Sequence, residues 1–229
     1  MIAVTGATDG PEGLARLRNG ALSDMGPDDY LIILGGCSLC SPRTDLDEQI
    51  REYRVLPCQT LFLDGARDDY DLLSDYPSFR WNGGLTQSFA RGLRRLLRGQ
   101  VFRLAGRTFF VMGGAATPGR DDRGKYWDWW PGQDPDAADA TATETNLAAV
   151  GWRVDFVLSV DCPASWRSEL ALPGSTERPP SAAAEFLDRI ATRLDYGRWY
   201  CGGYTTNREL PGQRANFVDA TVVRLQTSP

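Results

Sequence analysis

The chain has 229 residues, 42% of them hydrophobic and 24% charged, which is the composition of a soluble globular protein with room for a substantial core. Its formal net charge of −5 argues against a nucleic-acid partner, which would call for a basic face. It has no histidine, so neither the usual general base nor the commonest metal ligand is available to it.

Short apolar runs alternate with helical stretches, the pattern of an α/β protein. Strands are predicted at 2–5, 30–34, 60–64, 100–104, 107–112, 154–159, 198–202 and 215–225, the last broken by a turn near Asp219. Helices are predicted at 12–20, 44–54, 85–97, 136–150 and 181–194. Thr44-Asp45-Leu46-Asp47 offers an N-cap with acids in the first turn, as the helix dipole favours. Asp134-Pro135-Asp136 does the same for the fourth helix, and Ser181 follows the Pro179-Pro180 breaker as a cap for the fifth. Leu104-Ala105-Gly106-Arg107 reads as a tight hairpin. Arg91, Arg94, Arg95 and Arg98 recur at helical spacing and read as a solvated helix face. Two long loops, 113–133 and 160–180, are of the kind that is usually functional or mobile.

No apolar run approaches the roughly 20 residues needed to span a bilayer. Met1 leads directly into an apolar strand with no signal-peptide pattern before it. The five cysteines lack the density of a disulfide scaffold and suit a reducing compartment. A cytoplasmic protein with no membrane partner is expected, with its oligomeric state open. No repeat or interdomain linker divides the chain, so residues 1–229 are expected to form one domain.

The strand-to-loop junctions carry the strongest pattern. They are Val4-Thr5-Gly6-Ala7-Thr8-Asp9-Gly10, Ile33-Leu34-Gly35-Gly36, Leu63-Asp64-Gly65-Ala66-Arg67-Asp68, Val157-Leu158-Ser159-Val160-Asp161 and Trp199-Tyr200-Cys201-Gly202-Gly203-Tyr204-Thr205. Trp81-Asn82-Gly83-Gly84, Phe109-Phe110-Val111-Met112-Gly113-Gly114 and Trp129-Trp130-Pro131 add to it. In order and spacing this series resembles the calcineurin-like metallophosphoesterases, in particular a small bacterial and phage branch. The blocks of that superfamily read GDxHG, GD, GNHE, a strand ending in His, and GHxH. The resemblance implies a β-sandwich of two mixed sheets flanked by helices, with the active site on loops at one end. It also implies two divalent cations that activate a bridging hydroxide and clamp phosphoryl oxygens.

The ligands of that site are missing. The superfamily's first Asp and His fall on Ala7 and Asp9, and its second Asp on Gly36. Its Asn, His and Glu fall on Ala66, Arg67 and Asp68, and the later histidines on Val160, Gly203 and Thr205. No metal and no cofactor is therefore expected. Asp9, Asp64, Asp68 and Asp161 still supply oxygens of the kind Mg²⁺ accepts, which keeps an unconventional metal site as a third reading.

Asp9, Asp68 and Asp161 are the candidate acids or bases if burial raises their pKa values. Arg67 is the candidate replacement for metal charge and a bidentate holder of an anion; its plainer role is a salt bridge to Asp68, Asp9 or Asp161. Arg120 and Arg123 on the long loop, the hydroxyls of Tyr204 and Thr205, Trp130 as an apolar wall and Cys37 complete the candidate binding set. Cys37 and Cys40 form a lone CxxC, a weak signal for metal or redox chemistry. The leading expectation is a ligand-binding or regulatory pseudoenzyme whose ligand is small and anionic or polar. The alternative is a metal-independent acid–base enzyme of cyclisation, elimination or hydrolysis in a bacterial biosynthetic pathway.

Overall fold

A computed structural model describes residues 1–9, 11–37, 39–41, 45–117, 122–170 and 180–226. Among the described residues thirteen strands form two mixed sheets. The first holds β1 (Ile2–Thr5), β2 (Tyr30–Leu34), β3 (Gln59–Leu63), β4 (Ser78–Trp81), β5 (Gly84–Ala90), β6 (Leu93–Leu96) and β13 (Val222–Arg224), in the order β13-β1-β2-β3-β6-β5-β4. The second holds β7 (Gln100–Leu104), β8 (Arg107–Met112), β9 (Arg153–Ser159), β10 (Asp195–Cys201), β11 (Arg208–Leu210) and β12 (Ala215–Phe217), in the order β11-β12-β10-β9-β8-β7. Each sheet has a parallel centre, β1-β2-β3-β6 in one and β8-β9-β10-β12 in the other, with antiparallel strands at the edges.

The central strands are buried on both faces, which is why they read as unbroken apolar runs. Alternation assigns each side chain to a layer. Ile2, Val4, Ile32, Leu34, Leu61 and Leu63 pack between the sheets against Phe109, Val111, Phe156 and Leu158. Ala3, Leu31, Ile33 and Phe62 face outward into a second cluster, covered by Leu14 of α1 (Pro11–Arg16), Tyr53 of α2 (Leu46–Arg54) and Leu73 of α3 (Tyr70–Ser74). On the far side Phe110, Val157 and Trp199 meet Leu147 of α4 (Ala137–Ala149), Leu170 of α5 (Arg167–Leu170) and Phe186, Leu187 and Ile190 of α6 (Ala182–Ala191). The result is a sheet-on-sheet sandwich with a helical layer on each outer face.

The helix starts follow the capping chemistry. Asp45 accepts from the Glu48 amide at 3.0 Å and Ser181 from the Ala184 amide at 2.9 Å. Asp136 and Asp139 form a reciprocal capping box. Thr44 lies outside the described residues. The β7–β8 hairpin turns through Ala105 and Gly106, both with positive φ.

Three expectations are corrected. Residues 85–97 are not a helix but the hairpin β5–β6, with the turn at Arg91-Gly92. Of the four arginines expected on a solvated helix face, Arg95 and Arg98 are accordingly buried, Arg94 is half-buried and Arg91 is exposed. The segments around 70–81 and 164–170 also carry regular structure, namely α3, β4, a 3₁₀ turn at Ala164–Trp166 and α5. Among the described residues no helix is long and apolar enough to cross a membrane.

Candidate functional site

Because β1, β2 and β3 run parallel, as do β8, β9 and β10, the loops leaving each set emerge at one edge of their sheet. The two edges meet. The Thr8 amide donates to the Gly36 carbonyl at 2.9 Å, the Gly114 amide to the Asp64 carbonyl at 2.7 Å and the Gly203 amide to the Val160 carbonyl at 2.7 Å. The Thr117 hydroxyl donates to the Ala66 carbonyl at 2.8 Å. Arg16 donates to the Ala7 carbonyl at 3.0 Å. Tyr53 reaches up from α2, donating to the Cys37 carbonyl at 2.6 Å and sharing a 2.7 Å hydrogen bond with Thr8.

The packing leaves little room for side chains at these loops. A Cβ on Gly36, whose φ is +61°, would lie 2.8 Å from the Ala7 Cβ. A Cβ on Gly203 would lie 2.7 Å from the Val160 carbonyl oxygen, and one on Gly65 would lie 2.8 Å from the Gly36 amide nitrogen. Such contacts are closer than van der Waals packing admits.

The candidate acids fall into three different environments. Asp9 is exposed at the mouth, and Arg67 forms an ion pair with it at 3.9 Å, its one ion pair among the described residues. Arg67 is 68% exposed, so this pair is a loose surface contact and does not neutralise a buried cleft. Asp68 is sealed beneath the loop and accepts from the Gly65 amide at 2.6 Å. Burial, with the Asp64 charge adding to it, raises its pKa to about 6 against the pull of the Gly65 hydrogen bond. Asp161 sits on the other side of Val160. It accepts from the Cys162 amide at 2.8 Å, from the Tyr204 hydroxyl at 2.5 Å and from the Ser181 hydroxyl at 2.5 Å. Three donors occupy most of this carboxylate's acceptor capacity, and the Ser181 bond ties it to the cap of α6.

The remaining candidates divide similarly. Tyr204 joins Asp161 and lies 3.1 Å from the Cys162 sulfur, with its ring edge-on to Phe217. Burial first, and the Asp161 charge next, push its hydroxyl pKa up, so it stays a donor. Thr205 is exposed. Cys37 is buried, and desolvation followed by the charge of Asp68 raises its thiol well above the ordinary value, which disfavours the thiolate a nucleophile needs. Cys162 is pushed up to about 12 by burial and by the charge of Asp161. Trp130 is almost wholly buried, so it is a packing residue and not a wall open to ligand. Arg123 is exposed on the long loop, and Arg120 lies outside the described residues.

The strongest electrostatic feature lies outside the acid–base and binding candidates and centres on Asp64, expected only as an oxygen donor to a metal. Asp64, at the end of β3, is fully buried. Arg95 donates to it at 2.9 Å, Arg98 at 2.8 Å and Tyr70 at 2.9 Å. Burial would raise its pKa, but the charges of Arg95 and Arg98 reverse this and hold it well below the usual carboxylate range. The same Arg98 donates to the carbonyls of Gly132 at 2.7 Å and Asp134 at 3.3 Å and pairs with Asp139 at 3.3 Å. It therefore fixes the end of the long loop and the start of α4. The signal for this network was the pair of turns Asn82-Gly83 and Arg91-Gly92, which bracket the alternating strand β5 and put Arg95 on the strand that follows, β6.

The donor set does not fit a dinuclear metal centre. Asp64 is committed to two guanidinium groups, Asp161 to three donors and Asp68 to a buried amide contact. Of the four acids Asp9 alone is exposed. Among the described residues no three His, Cys, Asp or Glu side chains are grouped to hold a metal ion. No protein-family model and no curated protein matches the chain.

Proposed function

We propose that the chain is a degenerate relative of the calcineurin-like metallophosphoesterases, which keeps the two-sheet scaffold without a dinuclear centre and acts as a ligand-binding or regulatory protein. One observation carries the reading. Where the resemblance puts metal ligands, the loops close on each other through backbone and methyl groups, Gly36 against Ala7 and Gly203 against Val160. A ligand side chain is thus missing at these positions, and the space it would need is filled. What stays open at the mouth is the Asp9–Arg67 pair, which suits a small anionic or polar ligand.

The test is elemental analysis of protein purified from metal-supplemented medium, together with hydrolysis of bis(p-nitrophenyl) phosphate with and without Mn²⁺. Background hydrolysis and no stoichiometric Mn, Fe, Zn or Ni are expected. Two metals per chain with chelator-sensitive hydrolysis would overturn the proposal.

A second reading, metal-independent acid–base catalysis, has one feature in its favour: burial raises the Asp68 carboxyl to about 6, toward the range where a general acid or base is most effective. Its burial speaks against direct contact with a substrate. A turnover assay on candidate substrates that lost its pH dependence near 6 in Asp68→Asn would favour this reading over the first.

A further inference from the structure

A cavity of about 340 Å³ opens at the other end of the second sheet, lined by Thr108, Val150, Val154, Asp155, Tyr196 and Gly197 and by the charged side chains of Arg153, Asp195 and Arg214. Thr108, Arg153 and Asp195 lie at the starts of β8, β9 and β10, Thr108 as the second residue of its strand, whereas the candidate site lies past the ends of these strands. Strands of this length separate the two by roughly 20 Å.

Counting Arg107, which pairs with Asp155, three guanidinium groups face two carboxylates around this cavity. Asp155 is already satisfied: Arg107 pairs with it at 3.2 Å, and the Thr108 amide and hydroxyl donate to it at 2.8 and 2.7 Å. Asp195 is paired with Arg153 at 3.5 Å. Arg214 has neither a carboxylate partner nor a hydrogen bond from its guanidinium among the described residues. That guanidinium is instead mounted over the Tyr196 ring, 4.8 Å from its centroid. Tyr196 is itself fixed by its hydroxyl, which donates to the Gln213 carbonyl at 3.0 Å. Arg214 has φ +48°, and Trp152, next to the lining residue Arg153, has φ +56°. Non-glycine residues in this region cluster at ligand sites, where the surrounding structure holds them in place.

We propose that this cavity binds a small organic anion, its carboxylate or phosphate on the Arg214 guanidinium, with Arg153 as a second cation and its apolar body against Val150, Val154 and Tyr196. A planar guanidinium held on an aromatic face keeps its outer edge for bidentate contact with either group.

Isothermal titration calorimetry of the full chain with benzoate, phenyl phosphate and benzyl alcohol tests this. At least one of the two anions binds, more weakly as salt rises, and benzyl alcohol does not. The anion that binds more tightly identifies the head group. Arg214→Gln, which keeps the backbone conformation and the Cβ, weakens binding about tenfold or more. Arg153→Gln provides a second variant should the first fail to fold, and it also weakens binding. Absence of binding by both anions overturns the proposal. So does benzyl alcohol binding as tightly as benzoate, or a folded Arg214→Gln that binds as the parent does.

Discussion

Asp64 and Arg98 form an ion pair at 2.8 Å with almost no exposure to solvent, and it joins the end of β3 to the turn where the chain crosses from one sheet to the other. Arg95 takes the second carboxylate oxygen. Breaking such a pair from one side leaves a charge stranded in the interior, which costs far more than the intact pair contributes. Asp64→Asn should therefore lower stability by about 3–5 kcal/mol in urea denaturation. Arg98→Ala should in addition release the Gly132 and Asp134 carbonyls, and limited proteolysis should then cut within 122–136 faster than in the parent.

Asp68 predicts a pH dependence of stability. The folded state holds its proton more tightly than the unfolded chain, so protonation of this group favours folding. That contribution is complete below the ordinary value of 3.8 and is lost as pH rises through about 6. Asp68→Asn removes the cost of a buried charge while keeping an acceptor for the Gly65 amide. It should be more stable than the parent at pH 8 by about 1–3 kcal/mol, with the difference shrinking toward zero near pH 4. Chemical denaturation at the two pH values measures this, and a variant less stable than its parent at pH 8 would contradict it.

Restoring a carboxylate at position 36 should fail for steric reasons. Aspartate tolerates a positive φ better than most residues, but its Cβ would meet that of Ala7 at 2.8 Å. Gly36→Asp should cost about 1–3 kcal/mol, and Ala7→Gly in the same chain should recover part of it. A double-mutant cycle by thermal unfolding reads the coupling, and purely additive effects would contradict the contact.

Arg67→Ala should change stability by less than about 0.5 kcal/mol, because an exposed pair at 3.9 Å contributes little. A loss of several kcal/mol would mean that Arg67 neutralises a buried acid after all.

The parallel strands were legible in the sequence because burial on both faces leaves continuous apolar runs such as Leu31 to Leu34 and Phe109 to Met112. Asp136 and Ser181 were legible because capping is a local transaction between neighbours. The hairpin at 84–96 was not, since Arg91, Arg94, Arg95 and Arg98 happen to match helical spacing while the long-range partner that decides their burial, Asp64, lies some thirty residues earlier. The convergence of the loops could be anticipated from their order. The filling of the space between them could not, because it depends on the close approach of Gly36 to Ala7 and of Gly203 to Val160, pairs far apart in the chain.

All five cysteines are free and buried, and they are distributed unevenly: Cys37, Cys40 and Cys58 lie in the layer outside the first sheet, Cys162 and Cys201 in the layer outside the second, and none between the sheets. The molecule thus carries its own reporters of local opening. Burial keeps an alkylating reagent from these thiols in the native state, so each adduct timestamps the moment its layer came apart. Peptide mapping of a pulse-labelled sample would show whether the two halves unzip together or one after the other, with no probe introduced.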